Sequence, residues 1–206
     1  MTALARVGQP GPGPAPGPPA AADRDAAVVA ESLHRPERFA AIYDRYFAEI
    51  YRYMAGRLGP DVADDLAAET FTDAFRKRAQ FQPSRGALRP WLYGIATNLV
   101  ARHRRVEARR LSALARADRR ASAGTDDLAD PADRAADRVS AQQLRKPLAR
   151  ALAQLPDHDR DVLLLVSLAD LSYEEVAAAL GIPAGTVGSR LNRARRKVRT
   201  ALEEEL

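Results

Sequence analysis

The chain has 206 residues, a formal net charge of +5 and no cysteine, which excludes disulfides, zinc ribbons and thiol catalysis. A pI near 9.9 favours a polyanionic partner without choosing among DNA, RNA and an acidic membrane. Hydrophobic residues make up 46%, much of it alanine, with few aromatics and no alternating β-branched pattern, so one or two all-α domains are predicted. Three scattered histidines, His34, His103 and His158, suggest no metal site, and no cofactor is expected. No run of about eighteen apolar residues predicts a membrane span. The first twenty residues lack a signal peptide's apolar core, so a cytoplasmic location is expected.

Residues 1–25 contain GQPGPGPAPGPPAAA, a run that cannot sustain a regular helix and reads as a disordered tail. From Phe39 a three-four spacing sets in through Ile42, Tyr43, Tyr46, Phe47, Ile50, Tyr53 and Met54, one buried helical stripe that Gly59-Pro60 ends. A second helix, about Asp61 to Arg78, points Val62, Leu66, Thr70, Phe71, Ala74 and Phe75 inward. Asp61, Asp64 and Asp65 suit its dipole. The dipole does not account for Glu69 and Asp73 farther along, and an exposed acidic strip of this kind could dock a basic or polar partner.

FQPSRGALRP (81–90) is a loop by its prolines and glycine. The helix after it, WLYGIATNLVARHRRVEARR, is apolar in its first half and carries Arg102, Arg104, Arg105, Arg109 and Arg110 in its second. Arginines next to Phe81, Trp91 and Tyr93 form a composition suited to single-stranded nucleic acid, with guanidiniums on phosphates and rings on unstacked bases. Trp91 and Tyr93 could instead be core residues, and for Trp91 the core is the favoured reading. Residues 111–138, with Asp126, Asp127, Asp130, Asp133 and Asp137, read as a flexible acidic linker that could shield a neighbouring DNA-binding surface.

A second domain starts near Val139. Leu144, Leu148, Ala151, Leu152 and Leu155 form an apolar face, Pro147 is a kink or break, and DHDRDVLLLVSL supplies a core helix. In LSYEEVAAALGIPAGTVGSRLNRARRKVR, Ser172 and Glu175 form a capping box and Gly181 ends the short helix. Val187, Leu191, Ala194 and Val198 then line one face of a longer helix whose arginines lie largely elsewhere. A capped helix, a glycine turn and a basic helix are the pattern of a helix-turn-helix. Two packed surface helices made soluble by arginine remain the alternative.

Together these segments resemble an extracytoplasmic-function sigma factor, the minimal class of bacterial RNA polymerase initiation factors. YDRYFAEIYRY, DVADDLAAETFTDAFRK and FQPSRGALRPWLYGIATN resemble sigma domain two. LPDHDRDVLLLVSLADLSYEEVAAALGIPAGTVGSRLNRAR resembles sigma domain four. The resemblance implies an all-α chain of two small helical domains, 26–110 and 139–206, joined by the linker. It implies that Asp64, Asp65, Leu66, Glu69 and Phe71 bind core polymerase at the clamp coiled coil of its largest subunit. Phe81, Ser84, Arg85, Trp91, Asn98, Arg102, Arg104 and Arg105 would engage the −10 element, with one base flipped into a pocket. Thr186, Ser189, Arg190, Asn192, Arg193 and Arg196 would read the −35 element. The partners implied are core RNA polymerase and promoter DNA, with an anti-sigma factor as a further option and a monomer on the polymerase.

Three positions depart from the family pattern. Gly188 stands where many relatives carry a basic residue, which leaves one −35 contact open. Asp170 replaces a usual glycine at a turn that aspartate tolerates. Ala101-Arg102 stand where relatives often have an aspartate, whose role therefore does not transfer. The rivals are a conventional helix-turn-helix regulator acting without polymerase and an enzyme. The first leaves the acidic helix and the 81–100 segment unexplained; the second lacks any catalytic constellation.

Overall fold

A computed structural model describes residues 21–121 and 145–203. Among them are eight α-helices and no strand: α1 (Ala21–Ser32), α2 (Ala40–Leu58), α3 (Pro60–Lys77), α4 (Leu88–Ala121), α5 (Arg145–Ala153), α6 (Asp157–Ser167), α7 (Tyr173–Leu180) and α8 (Ala184–Glu203). Residues 1–20 and 122–144, which hold most of the tail and linker expectations, lie outside the described residues.

Helices α2, α3 and α4 form the first domain. The stripe on α2 buries Ile42, Tyr46, Ile50, Tyr53 and Met54, and α3 answers with Ala63, Leu66, Ala67, Thr70, Phe71 and Ala74. Full burial of an Ile or Met side chain contributes about 1.5–3 kcal/mol, so these rows dominate the domain's stability. At the far side of α2, Tyr53 meets Tyr93 edge to face at 5.3 Å, and its hydroxyl is 2.9 Å from Thr97 Oγ1. That polar pair is satisfied inside the core, as buried hydroxyls require.

Two boundaries differ from the sequence reading. Helix α1 starts inside the segment assigned to the tail and is pinned by Asp25, only 2% exposed, which accepts hydrogen bonds from Arg45 and the Tyr46 hydroxyl. A buried carboxylate persists only with such partners. Helix α4 runs to Ala121, eleven residues into the segment assigned to the linker. The Ala- and Arg-rich stretch VEARRLSALARADRRA has the high helix propensity to continue it.

Helices α5 to α8 form the second domain. Its core is smaller: Val162, Leu164 and Leu165 of α6, Val176 of α7, and Val187, Leu191 and Ala194 of α8. Pro147 falls in the first turn of α5, where proline is tolerated, and does not break the helix. The capping box is formed in both directions, with Glu175 N–H on Ser172 Oγ and Ser172 N–H on Glu175 Oε2. Asp170, the one non-glycine residue with positive φ among those described, turns at φ 48° before it. Gly181 closes α7 in the left-handed conformation.

The two domains pack on each other, with apolar residues of both in one continuous core. Helix α7 lies against α4, and α6 meets the end of α2. Arg57, 2% exposed at its side chain, pairs with Asp161; Arg104 donates to Asp157 Oδ1 at 3.1 Å; Arg89 donates to the Ala169 carbonyl.

Candidate nucleic-acid interface

The acidic strip on α3 divides in two. Asp64 and Asp65 are exposed, whereas Leu66 and Phe71 are buried beneath them. That matches their helical period and makes them the floor of the face rather than its surface. Glu69 is paired with Arg102 of α4, so the strip assigned to polymerase and the face assigned to −10 DNA touch.

The loop between α3 and α4 is held by two short 3-10 turns, Arg78–Gln80 and Pro83–Arg85. Beneath it, Phe81 and Trp91 stand 5.4 Å apart, tilted by 53°. They line a cavity of about 210 Å³ together with Arg85, Gly86 and Ala178. This is below the roughly 300–1,000 Å³ of small-molecule sites and suits a single ring system. Arg85 is exposed at its rim, whereas Ser84, also exposed, lines a neighbouring cavity with Ala22 and Asp23. Trp91, half-buried, serves both as core and as pocket wall.

Along α4, Asn98, Arg102 and Arg105 follow steps of four and three and are all exposed on one face. Arg104 is on another: it donates to Asp157 Oδ1 at 3.1 Å and to the Arg57 carbonyl at 3.0 Å. Of the five −10 candidates on this helix, Asn98, Arg102 and Arg105 therefore form a surface, Trp91 lines the cavity, and Arg104 is engaged between the domains.

On α8, the face opposite Val187, Leu191 and Ala194 presents Ser189, Asn192 and Arg196 to solvent. Thr186 and Arg190 are half-buried beside it. Arg193 is held by Asp159, whose carboxylate is fully buried; Nε donates to Oδ2 at 2.7 Å and a terminal nitrogen to Oδ1 at 2.8 Å. The hydrogen bonds from Arg193 hold the Asp159 carboxyl below its ordinary range, against the opposite push of burial. A two-point clamp of this kind fixes the rotation of α8, and so the direction of its exposed face. Arg193 thus reaches the candidate −35 surface as the strut that aims it.

Sequence reasoning assigned no role to Asp159, which lies within the core helix DHDRDVLLLVSL, or to Arg57. It also passed over Gly94, although a glycine inside a strongly periodic helix signals close packing. Among the described residues no group of His, Cys, Asp and Glu could hold a metal, and no helix is long and apolar enough to cross a membrane.

Residues 42–110 match the family model of sigma-70 region 2, and residues 145–198 that of sigma-70 region 4. The ECF RNA polymerase sigma factor SigL of Mycobacterium tuberculosis is 32% identical over 166 residues, covering 80% of this chain and 88% of the relative. SigW of Bacillus subtilis is 31% identical over 175 residues, covering 82% and 90%. SigE of Mycolicibacterium smegmatis is 35% identical over 174 residues and 77% of this chain, which spans only 58% of that protein. The solved structure of CnrH in complex with the cytosolic domain of CnrY shares the fold, with a TM-score of 0.63 at 22% identity over 88% of this chain and 99% of that one. Both region models match in order, one on each domain, and two relatives above 30% identity align over most of their length: the chain belongs to the ECF RNA polymerase sigma factors.

Proposed function

We infer that this chain binds core RNA polymerase and directs it to a set of promoters, acting with the polymerase in the cytoplasm. The observation that carries this reading is the pairing of an aromatic pocket beside an exposed Asn98–Arg102–Arg105 face with a clamped basic reading helix, in the order of regions 2 and 4. Exposed Asp64 and Asp65, supported from below by Leu66 and Phe71, offer polymerase an acidic docking face. Glu69 joins them once Arg102 turns to DNA.

At the −10 element, one base leaves the stack for the cavity between Phe81 and Trp91. Unstacking costs a few kcal/mol, which ring contacts and base-edge hydrogen bonds from the pocket rim recover selectively. Arg102 and Arg105 hold the adjacent backbone. At the −35 element, Ser189, Asn192 and Arg196 face the major groove, where a bidentate arginine contact to guanine discriminates by about 1–3 kcal/mol. No bond is made or broken by the chain; it supplies binding energy for positioning and strand opening. An anti-sigma factor is a further partner of the class seen in the solved complex of Bartonella quintana RpoE with NepR.

The test is run-off transcription by purified core polymerase on fragmented genomic DNA, with and without the chain. New start sites sharing two upstream elements are the expected result. Core polymerase that is neither bound nor redirected, while the chain alone shifts duplex DNA, would overturn it.

A further inference from the structure

The junction between the domains holds a cavity of about 520 Å³, inside the size range of small-molecule sites. Its walls come from both domains, with Arg57 and Arg104 on one side and Arg160 on the other. The junction is tight. A methyl group built on Gly94 of α4 would lie 2.6 Å from the Ala179 carbonyl oxygen of α7, and one on Gly56, in the cavity wall, would meet Leu168 Cδ1 at 3.1 Å. Glycine at those two positions lets the elements approach and so fixes where the guanidiniums stand.

Charge in this cavity is out of balance. Three guanidiniums line it against a single carboxylate, Asp157. One oxygen of that carboxylate, Oδ1, serves both Arg104 at 3.1 Å and Arg160 at 3.0 Å. The Asp157 side chain is 70% exposed, so water screens much of its charge. Arg57, 2% exposed at its side chain, turns one terminal nitrogen to Asp161, which is not part of the cavity wall. Among the described residues, Arg57 Nε is the one buried side-chain nitrogen or oxygen with no hydrogen-bond partner, and a buried donor without an acceptor is costly. Burial pulls the Arg160 pKa down, and the charges of Arg104 and Arg57 pull it further, as expected where cations crowd one another. Between the arginines the wall is aliphatic, from Ala149, Leu152 and Leu164. A cleft of one sign with apolar walls focuses its field on an anion.

We propose that this cavity binds a small phosphate monoester, whose dianionic head meets Arg57, Arg104 and Arg160 and whose organic part lies on Ala149, Leu152 and Leu164. Planar guanidiniums match phosphate oxygens with paired N–H donors, and a phosphate oxygen supplies the acceptor that Arg57 Nε lacks. The head alone would satisfy the arginines; the aliphatic wall is what selects an ester. Because both domains contribute arginines, a bound ester joins them, and its concentration sets how firmly they are held.

The experiment titrates the full chain with butyl phosphate and with inorganic phosphate by calorimetry, at ionic strength matched with chloride, and follows thermal unfolding alongside. One saturable site is expected, tighter for butyl phosphate, with a thermal midpoint raised by several degrees at about a hundredfold excess over Kd. Arg104→Gln removes one cation and should weaken binding about tenfold. Arg57→Lys keeps the charge beside Asp161 but loses Nε and the planar fork, and should weaken binding severalfold. Arg109→Gln removes the same charge from an exposed position outside the cavity and should bind as the wild type does. Circular dichroism checks that all three variants keep their helices. A midpoint that chloride raises equally, or an equal loss in Arg109→Gln, would reduce the effect to general charge screening and overturn the site. Inorganic phosphate binding as tightly as the ester would overturn the role of the aliphatic wall, and an unchanged Arg57→Lys would overturn that of Nε. None of these readouts involves polymerase or DNA, so the site stands or falls independently of the sigma-factor reading.

Discussion

The two domains solve the same problem, holding a candidate nucleic-acid surface in place, with different materials. Domain two stacks large apolar side chains (Ile42, Ile50, Tyr53, Met54, Leu92 and Tyr93 are essentially fully buried) and buries charge only at its margins, Asp25 under α1 and Arg57 where α2 meets the other domain. Domain four has a thin aliphatic core and places charge inside it: Asp159 and Arg160 are both buried. Charge serves there as scaffold. The lesson is that an arginine's role follows from which carbonyl or carboxylate it reaches, and the basic composition of a helix does not reveal it.

The largest way to break this contrast is Arg160→Ala. The Arg160 guanidinium donates to the carbonyls of Leu152, Ala153 and Leu155 at 2.6–2.8 Å and to Asp157 at 3.0 Å. It closes the C-terminal end of α5 and ties that helix to α6. Burial pulls its pKa down, with Arg104 adding to the pull, so it stays in place only because those acceptors are there. Removing it orphans several carbonyls and should cost domain four about 2–4 kcal/mol. Denaturation followed by circular dichroism should gain an early phase from domain four, while Trp91 fluorescence, which reports domain two, keeps its main transition. One shared transition for both probes would show that charge is not the separate support of domain four.

Acid sharpens the comparison next. Because Arg193 holds the folded-state pKa of Asp159 below its unfolded value, the stabilisation is complete above about pH 3.9 and is lost as pH falls through the lower folded value. Domain four should therefore unfold in acid before domain two. In Arg193→Gln the carboxyl keeps burial and loses the cation, so its acid midpoint should move to higher pH. The same variant should weaken −35 binding through loss of helix aim, uniformly across promoter sequences. A loss confined to one base position would instead assign Arg193 a direct contact.

Legibility in the sequence follows the same divide. The stripes on α2 and α3, the capping box, the Gly181 turn and the tolerance of Asp170 are local patterns and are present as read, except that Tyr43, placed in the buried stripe of α2, is 39% exposed at its edge. The pairs Asp159–Arg193 and Arg57–Asp161 join residues 34 and 104 positions apart, and nothing near either member announces the other. Helix α1 escaped because its alanines hide a small apolar face of Val28 and Val29; the buried Asp25 that fixes it looks like any surface acid. Leu66 and Phe71 carried two readings, inward by period and outward by family likeness. Burial gives them to the core, which leaves Asp64 and Asp65 as the surface of that face.

A smaller test lies in domain two, where polar groups are an addition to an apolar core. Tyr53→Phe removes a hydroxyl shared by Thr97 at 2.9 Å and Arg57 at 3.4 Å. The ring contact with Tyr93 survives, so the expected loss is about 1–2 kcal/mol, read as a lower midpoint of the Trp91 transition. A loss as large as that of Arg160→Ala would erase the distinction between the two domains.

The smallest effect should be a gain. Gly188 lies within α8, where glycine costs up to about 1 kcal/mol relative to alanine. A methyl there would meet Tyr173 Cε2 at 3.8 Å, an ordinary van der Waals contact. Gly188→Ala should therefore raise the thermal midpoint of domain four by a few degrees, with binding to duplex DNA retained because Ser189, Asn192 and Arg196 keep their places. If the midpoint falls, α8 needs the flexibility of glycine at that point, and the rigid aiming assigned to the Asp159–Arg193 clamp is incomplete. A higher midpoint with weaker DNA binding would place residue 188 at the groove itself, where even a methyl intrudes.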